Sequence, residues 1–167
     1  MQSPVLAGFT TGAIPCVDSV EAGRIGLGLA ADGLPGDTVP ASRPSFTIEF
    51  YEDAQGRKPV LRWIEKELKP TQRRALVAAM QEILAFEGVG VCGTELGRQL
   101  GHGLFEFRVR NPAEHLLLRV FCHAYGDKVV LLLAGYDKRR DPSRKRQAQE
   151  IERARKCLTD FRKRRIG

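Results

Sequence analysis

The sequence predicts an α+β fold in the order β-α-α-β-β-β-α: a mainly antiparallel sheet with helices packed on one face. Two observations carry this. Residues 104–110, 115–124 and 128–134 alternate with the period of strands and follow one another across short turns. Two helical-period segments precede them and one strongly basic helical segment closes the chain.

Residues 1–45 hold seven Gly and five Pro with no sustained period, so a disordered or loosely attached extension is expected there. The Gly26, Gly28, Ala31 spacing within it echoes a dinucleotide loop, but no strand precedes it. The folded domain is expected to span 46–167, beginning with an alternating strand at 46–51. Pro59 suits the first turn of a helix over 58–68, which puts Val60, Leu61, Ile64 and Leu68 on one face. Thr71 is placed to cap a second helix reaching Glu87, with Leu76, Met80, Ile83 and Leu84 inward and Gly88 as terminator. Both helices read as packing elements. A Gly-rich connection over 88–103 leads to the three strands. Asp141 and Pro142 supply a cap and a first helical residue for the last helix, whose stripe is Ala148, Ile151, Ala154, Leu158 and Phe161.

The formal net charge is +7 and the pI about 9.5. Residues 136–167 alone hold thirteen Lys/Arg against five Asp/Glu. That imbalance favours an acidic partner, nucleic acid first, although a solvated basic helix is the plainer reading. Cys16, Cys92, Cys122 and Cys157 form no metal-spaced pair, which points to reduced thiols acting as small hydrophobes. No leader pattern and no stretch of membrane-spanning length is evident, so a soluble cytoplasmic protein with no membrane partner is expected.

Strand parity sorts the side chains. With Arg110 facing His115 across the turn at 111–114, Arg108 lies opposite Leu117 and Glu106 opposite Arg119. Phe105, Phe107, Val109, Leu116, Leu118, Val120 and Cys122 then share an apolar face. A two-residue Gly126-Asp127 hairpin places Val130, Leu132, Ala134 and Tyr136 on the polar face, with Ala134 beside Arg119. That outer face gathers Glu106, Arg108, Arg110, Arg119, His123 and Tyr136. Each has a plainer reading. Glu106 and Arg119 make an ordinary cross-strand ion pair, His123 is a half-buried polar residue, and Tyr136 is packing. The convergence of Arg108 and Arg119 with Lys138, Arg139 and Arg140 is the feature that calls for an anion.

From the strand at 48–53 and the 56–60 segment leading into the Trp63-Ile64 helix, over about residues 46–163, the chain resembles the RelE/HigB toxin superfamily, especially its phage-derived, HigB-like branch. Residues 100–108 are similar to the family's L-x-x-G-L-x-E-L-R segment, and residues 118–121 to its Y-R-V-F/Y strand. Residues 130–140 stand where the family has L-L-H-G-F-x-K-K, and 150–154 match its last helix. The resemblance implies the toxin of a type II toxin–antitoxin pair, an endoribonuclease that cuts mRNA on the ribosome and so inhibits translation. Its implied partners are mRNA, the ribosome and a helix-turn-helix antitoxin; no cofactor is implied. Arg108, Arg119 and Lys138 match family positions, while Arg98 stands where the family has a lysine.

Metal-independent cleavage by 2′-OH attack needs a held phosphate, stabilised charge and a protonated leaving oxygen. Arg108 and Arg119 suit charge stabilisation because guanidinium donates in a fixed fork. Lys138 is a clamp or acid; Glu106, His123 and Tyr136 are the candidate bases in that order. Arg98, Arg110, Arg139, Arg140, Arg144 and Lys145 are the expected RNA contacts, and Arg162 to Arg165 a ribosome-docking run. The alternatives are a ParE-like toxin that binds DNA gyrase without cutting RNA, and an inactive RNA-binding relic.

Overall fold

Five strands build one sheet: Thr47–Phe50 (β1), Gly97–Gly101 (β2), Leu104–Asn111 (β3), Leu116–Tyr125 (β4) and Val129–Asp137 (β5). Their spatial order is β1-β5-β4-β3-β2. All neighbours are antiparallel except β1, which runs parallel to β5. The computed structural model describes residues 43–166, so Cys16, the loop at 26–31 and most of the 1–45 segment lie outside the described residues. The α+β class and the mainly antiparallel sheet are as the alternation predicts. β2 is an addition: it lies within the supposed Gly-rich connection and pairs Arg98 with Glu106.

The helices are Pro59–Lys66 (α1), Pro70–Ala79 (α2), Ala85–Glu87 (α3) and Arg144–Ile166 (α4); a π-helical turn, Met80–Leu84, joins α2 to α3, and a 3-10 turn, Gly88–Gly93, follows. They do not all pack on one face. Val60, Ile64, Leu76, Met80 and Leu84 cover Phe105, Phe107, Val109, Leu118, Val120 and Cys122. Ala154 and Leu158 of α4 cover the opposite face, against Leu104, Phe121, Leu131, Leu133 and Tyr136. The reason is that the second face is not wholly polar. Leu104, Phe121, Leu131 and Leu133 lie on it, and burying such side chains is worth roughly 1.5–3 kcal/mol each. Pro70–Gly93 is, by length and a hydropathy of 1.5, long and apolar enough to cross a membrane, contrary to expectation; its Leu76, Met80 and Leu84 are instead wholly buried against the sheet.

Both hairpins differ from the expected register. Asn111 pairs with Leu116, so the turn occupies 112–115 and Arg108 faces Arg119 directly. The Asn111 carboxamide oxygen accepts from the Glu114 N–H at 3.3 Å, and His115 takes φ 53°. The shift is by two residues, so every side chain keeps its face. In the second hairpin Tyr125 pairs with Val129, leaving a three-residue turn with Gly126 and Lys128 at positive φ. That one-residue change turns Val130 and Leu132 to the α1–α2 face rather than the polar one. A bulge opposite Phe121 and Cys122 restores the phase, so Ala134 and Tyr136 do share a face with Arg119.

The helix starts also move by a residue or two. Lys69, not Thr71, stands at the α2 cap, where its N–H donates to the Gln72 side-chain oxygen at 3.0 Å. α4 starts after Ser143, whose hydroxyl accepts from the Arg146 N–H at 3.1 Å, rather than at Asp141 and Pro142. Ala148 is exposed, and Glu150 turns inward instead.

Candidate functional site: an arginine pair bridged by a buried carboxylate

β3, β4 and β5 bring three side chains into one row, because Arg108 pairs with Arg119 and Arg119 with Tyr136. Two cations directly opposed across strands repel. Glu106, one step along β3 on the same face, answers that repulsion. It is wholly buried; Oε1 accepts from Arg119 Nη1, and Oε2 lies 3.4 Å from Arg108 Nη2. The plainer ion-pair reading therefore describes Glu106 and Arg119, though diagonally rather than directly across. Arg98 adds a third cation on β2 beside Glu106.

This row does not lie on an open solvent wall, as the face-by-face reading expects. Tyr136 is only 2 % exposed, stacked on Phe121 with ring centres 6.1 Å apart. Arg119 and Arg108 keep 14 % and 27 % of their side chains exposed. Solvent thus reaches part of both arginine side chains and not the carboxylate beneath them. α4 closes the site on one side through Glu150, which is also buried and pairs with Arg146 at 2.8 Å. Tyr136 Oη, Arg108 Nε, Arg119 Nε and Glu150 Oε2 are buried and have no hydrogen-bond partner among the described residues. The two guanidiniums carry many more donors than they use: Arg119 meets Glu106, and Arg108 makes only long bonds, 3.4 Å to Glu106 and 3.5 Å to the Glu95 carbonyl.

Burial raises the Tyr136 hydroxyl pKa; nearby Arg119 opposes this, and Glu106, Glu150 and Asp141 add to it. A phenol so placed stays protonated at neutral pH and is no base. Glu106 is committed to two guanidiniums, which suits it to orienting them. His123 is not brought to the row. It pairs with Leu104 toward the far end of β4, its Nδ1 2.7 Å from the Gly103 carbonyl. Burial lowers its pKa, the Gly103 hydrogen bond opposes, and Arg162 lowers it further. No free base stands among the three side chains named for that task.

The remaining residues divide into two groups. Lys138 follows β5 directly, and its Nζ donates to Gln147 of α4 at 3.0 Å. Arg139 and Arg140 are exposed beside it, Arg139 Nη1 lying 3.0 Å from His115 Nδ1, and Arg144 and Lys145 open α4. Arg110 is exposed near the end of β3, one pair beyond Arg108. These form a basic rim at one end of the row. The run from Arg162 is less free than expected. Arg162 donates to the His102 carbonyl at 3.0 Å, Arg164 pairs with Asp160, and Arg165 lies over the Tyr125 ring at 4.5 Å. Glu150 escaped the sequence reading, although its place four residues before Ala154 and eight before Leu158 marks it as inward.

Comparison with known proteins agrees with this half of the chain. The profile of the family described as phage derived protein Gp49-like (DUF891) matches residues 63–159, which hold the row, its rim and most of α4. No curated protein matches the chain.

Proposed function

Because the chain belongs to the phage-derived, Gp49-like family, a RelE/HigB-like toxin family whose members imply an antitoxin partner, we propose that it is an mRNA endoribonuclease of the HigB-like kind. It acts in the cytoplasm on ribosome-bound message and is neutralised by a helix-turn-helix antitoxin. The observation that carries the reading is the Arg108–Arg119 pair: two adjacent, partly exposed arginines with most donors unused, aligned from below by Glu106. A phosphodiester supplies the acceptors that this pair lacks.

In the proposed reaction the 2′-OH gives its proton to water, the 2′-oxygen attacks phosphorus, and the 5′-oxygen leaves with a proton, producing a cyclic phosphate. Arg108 and Arg119 hold the non-bridging oxygens and stabilise the added charge. The leaving oxygen takes its proton from water, because the buried Tyr136 hydroxyl is out of its reach. Lys138, Arg139 and Arg140 hold the flanking phosphates. With no side chain poised as a strong base, orientation of the 2′-OH carries much of the rate, which suits a nuclease that works on a message already held by the ribosome. Glu106 is a positioning residue, and His123 has no part in the step.

The test is induction in cells with mapping of RNA 5′ ends, alongside Arg119→Ala. Cuts inside translated codons that vanish in the variant are expected. A DNA-damage response without cuts, or cuts undiminished in a folded Arg119→Ala protein, overturns the reading.

A further inference from the structure

β5 is longer than the strand beside it. β1 pairs with it only from Val129 to Leu132, and among the described residues Leu133–Asp137 has no strand neighbour on that edge. α1 lies on one face of the sheet and α4 on the other, so their side chains overhang the open edge and leave a cleft of about 830 Å³. That volume is within the roughly 300–1,000 Å³ of ligand sites. Ala134 and Gly135, the residues just before Tyr136, line its floor.

The walls are mainly basic; the acidic lining residues are Asp53, which pairs with Arg57, and Glu67. Lys58, at the cap of α1, and Arg62 and Lys66 within it stand four residues apart on one side, and Arg146 and Arg153 face them from α4. Their step along the helix is about 6 Å, comparable with the spacing of phosphates along an extended nucleic-acid strand. Lys58 pairs with Glu52, and Arg146 and Arg153 share Glu150. Among the described residues no carboxylate comes within ion-pair distance of Arg62 or Lys66, and both are exposed. The α1 stripe has no part in the arginine row, and the cleft adjoins it through Arg146, which pairs with Glu150.

We propose that this cleft is a second nucleic-acid site, which holds the backbone of single-stranded RNA next to the linkage gripped by Arg108 and Arg119. It rests on the reading of the chain as an RNA-cutting toxin. RNA is favoured over an acidic peptide on two grounds. The α1 cations repeat at a phosphate-like step, and the floor residues Ala134 and Gly135 immediately precede Tyr136 on β5, which sets the cleft beside the arginine row.

The test uses the full chain and an uncleavable 2′-O-methyl oligoribonucleotide, with binding followed by fluorescence anisotropy over a salt series. Replacing Arg62→Gln and Lys66→Gln together should weaken binding at low salt by tenfold or more and reduce the slope of log K against log salt by about 1.4, from about 0.7 per lost phosphate contact on a single strand. Arg43→Gln with Arg74→Gln, equal in charge change and outside the cleft, should leave the slope nearly intact. Equal slopes in the parent and the cleft variant, or an equal loss in the control, overturn the second site. So does a poly-glutamate peptide whose binding depends on Arg62 and Lys66 while RNA binding does not. Codon cuts by a protein whose RNA binding ignores these residues would sink the cleft and leave the nuclease standing. A parent chain that neither binds nor cuts RNA sinks both.

Discussion

Glu106→Gln removes one negative charge from beneath two opposed cations and changes almost no volume. Breaking a buried ion pair by removing one partner costs about 3–5 kcal/mol, because the other charge is left uncompensated. Here the stranded charges are Arg119 and Arg108, 14 % and 27 % exposed, so water screens part of the loss. The low end, about 3 kcal/mol, is therefore expected. With a urea slope of about 2 kcal/mol per molar for a domain of this size, the unfolding midpoint should fall by about 1.5 M. The assay is urea unfolding followed by circular dichroism on Glu106→Gln, Arg119→Ala and the double variant. The double variant should be less destabilised than the sum of the singles by about 1 kcal/mol or more, since each single already breaks the same pair. A midpoint shift below about 0.5 M, or strict additivity, would refute the claim that this carboxylate holds the arginines.

Tyr136→Phe tests the burial. The hydroxyl is buried with no partner among the described residues, so removal should leave the urea midpoint unchanged or raise it by up to about 1 kcal/mol equivalent, with RNA cleavage at the parental rate; a large loss of cleavage would mean that the hydroxyl reaches the substrate. Gly135→Ala should destabilise by about 1–3 kcal/mol, because the new Cβ would sit 2.5 Å from Trp63 Cζ3 in a closed contact; a neutral result in thermal melts would mean that the Trp63 ring yields freely. His123 titrates below its usual 6.5 when folded. Between the lowered value and 6.5 the unfolded chain binds the proton and the folded one does not, so stability rises with pH across that window and declines on acidification. His123→Gln should remove that component from the pH profile of the urea midpoint, and Arg162→Gln should raise the imidazole midpoint seen by NMR. A wild-type midpoint at or above 6.5 would contradict the burial described.

Much of the sheet was readable from parity alone. Phe105, Phe107 and Val109 alternate with Glu106, Arg108 and Arg110, and a two-residue slip in the first hairpin leaves that sorting intact. The same holds for the membership of Arg108, Arg119, Glu106 and Tyr136 in one neighbourhood. Parity fails where one extra residue enters. The turn after Tyr125 and the bulge in β5 each shift the phase by one, which is why Val130 and Leu132 turn to the opposite face while Ala134 and Tyr136 do not. β2 escaped notice because its five residues begin and end in glycine and are too few to show a period.

By itself, then, the sequence determined which side chains share a face, since alternation along a strand is local geometry. Only the tertiary structure decided what covers each face. The mixed second face, polar at Arg108 and Arg119 but apolar at Leu104, Phe121, Leu131 and Leu133, draws α4 onto it and buries Glu106 and Tyr136 beneath. The cleft beside β5 has the same origin. It depends on where β1 stops and on two helices lying on opposite sides of one edge, relations between distant segments that no local periodicity records.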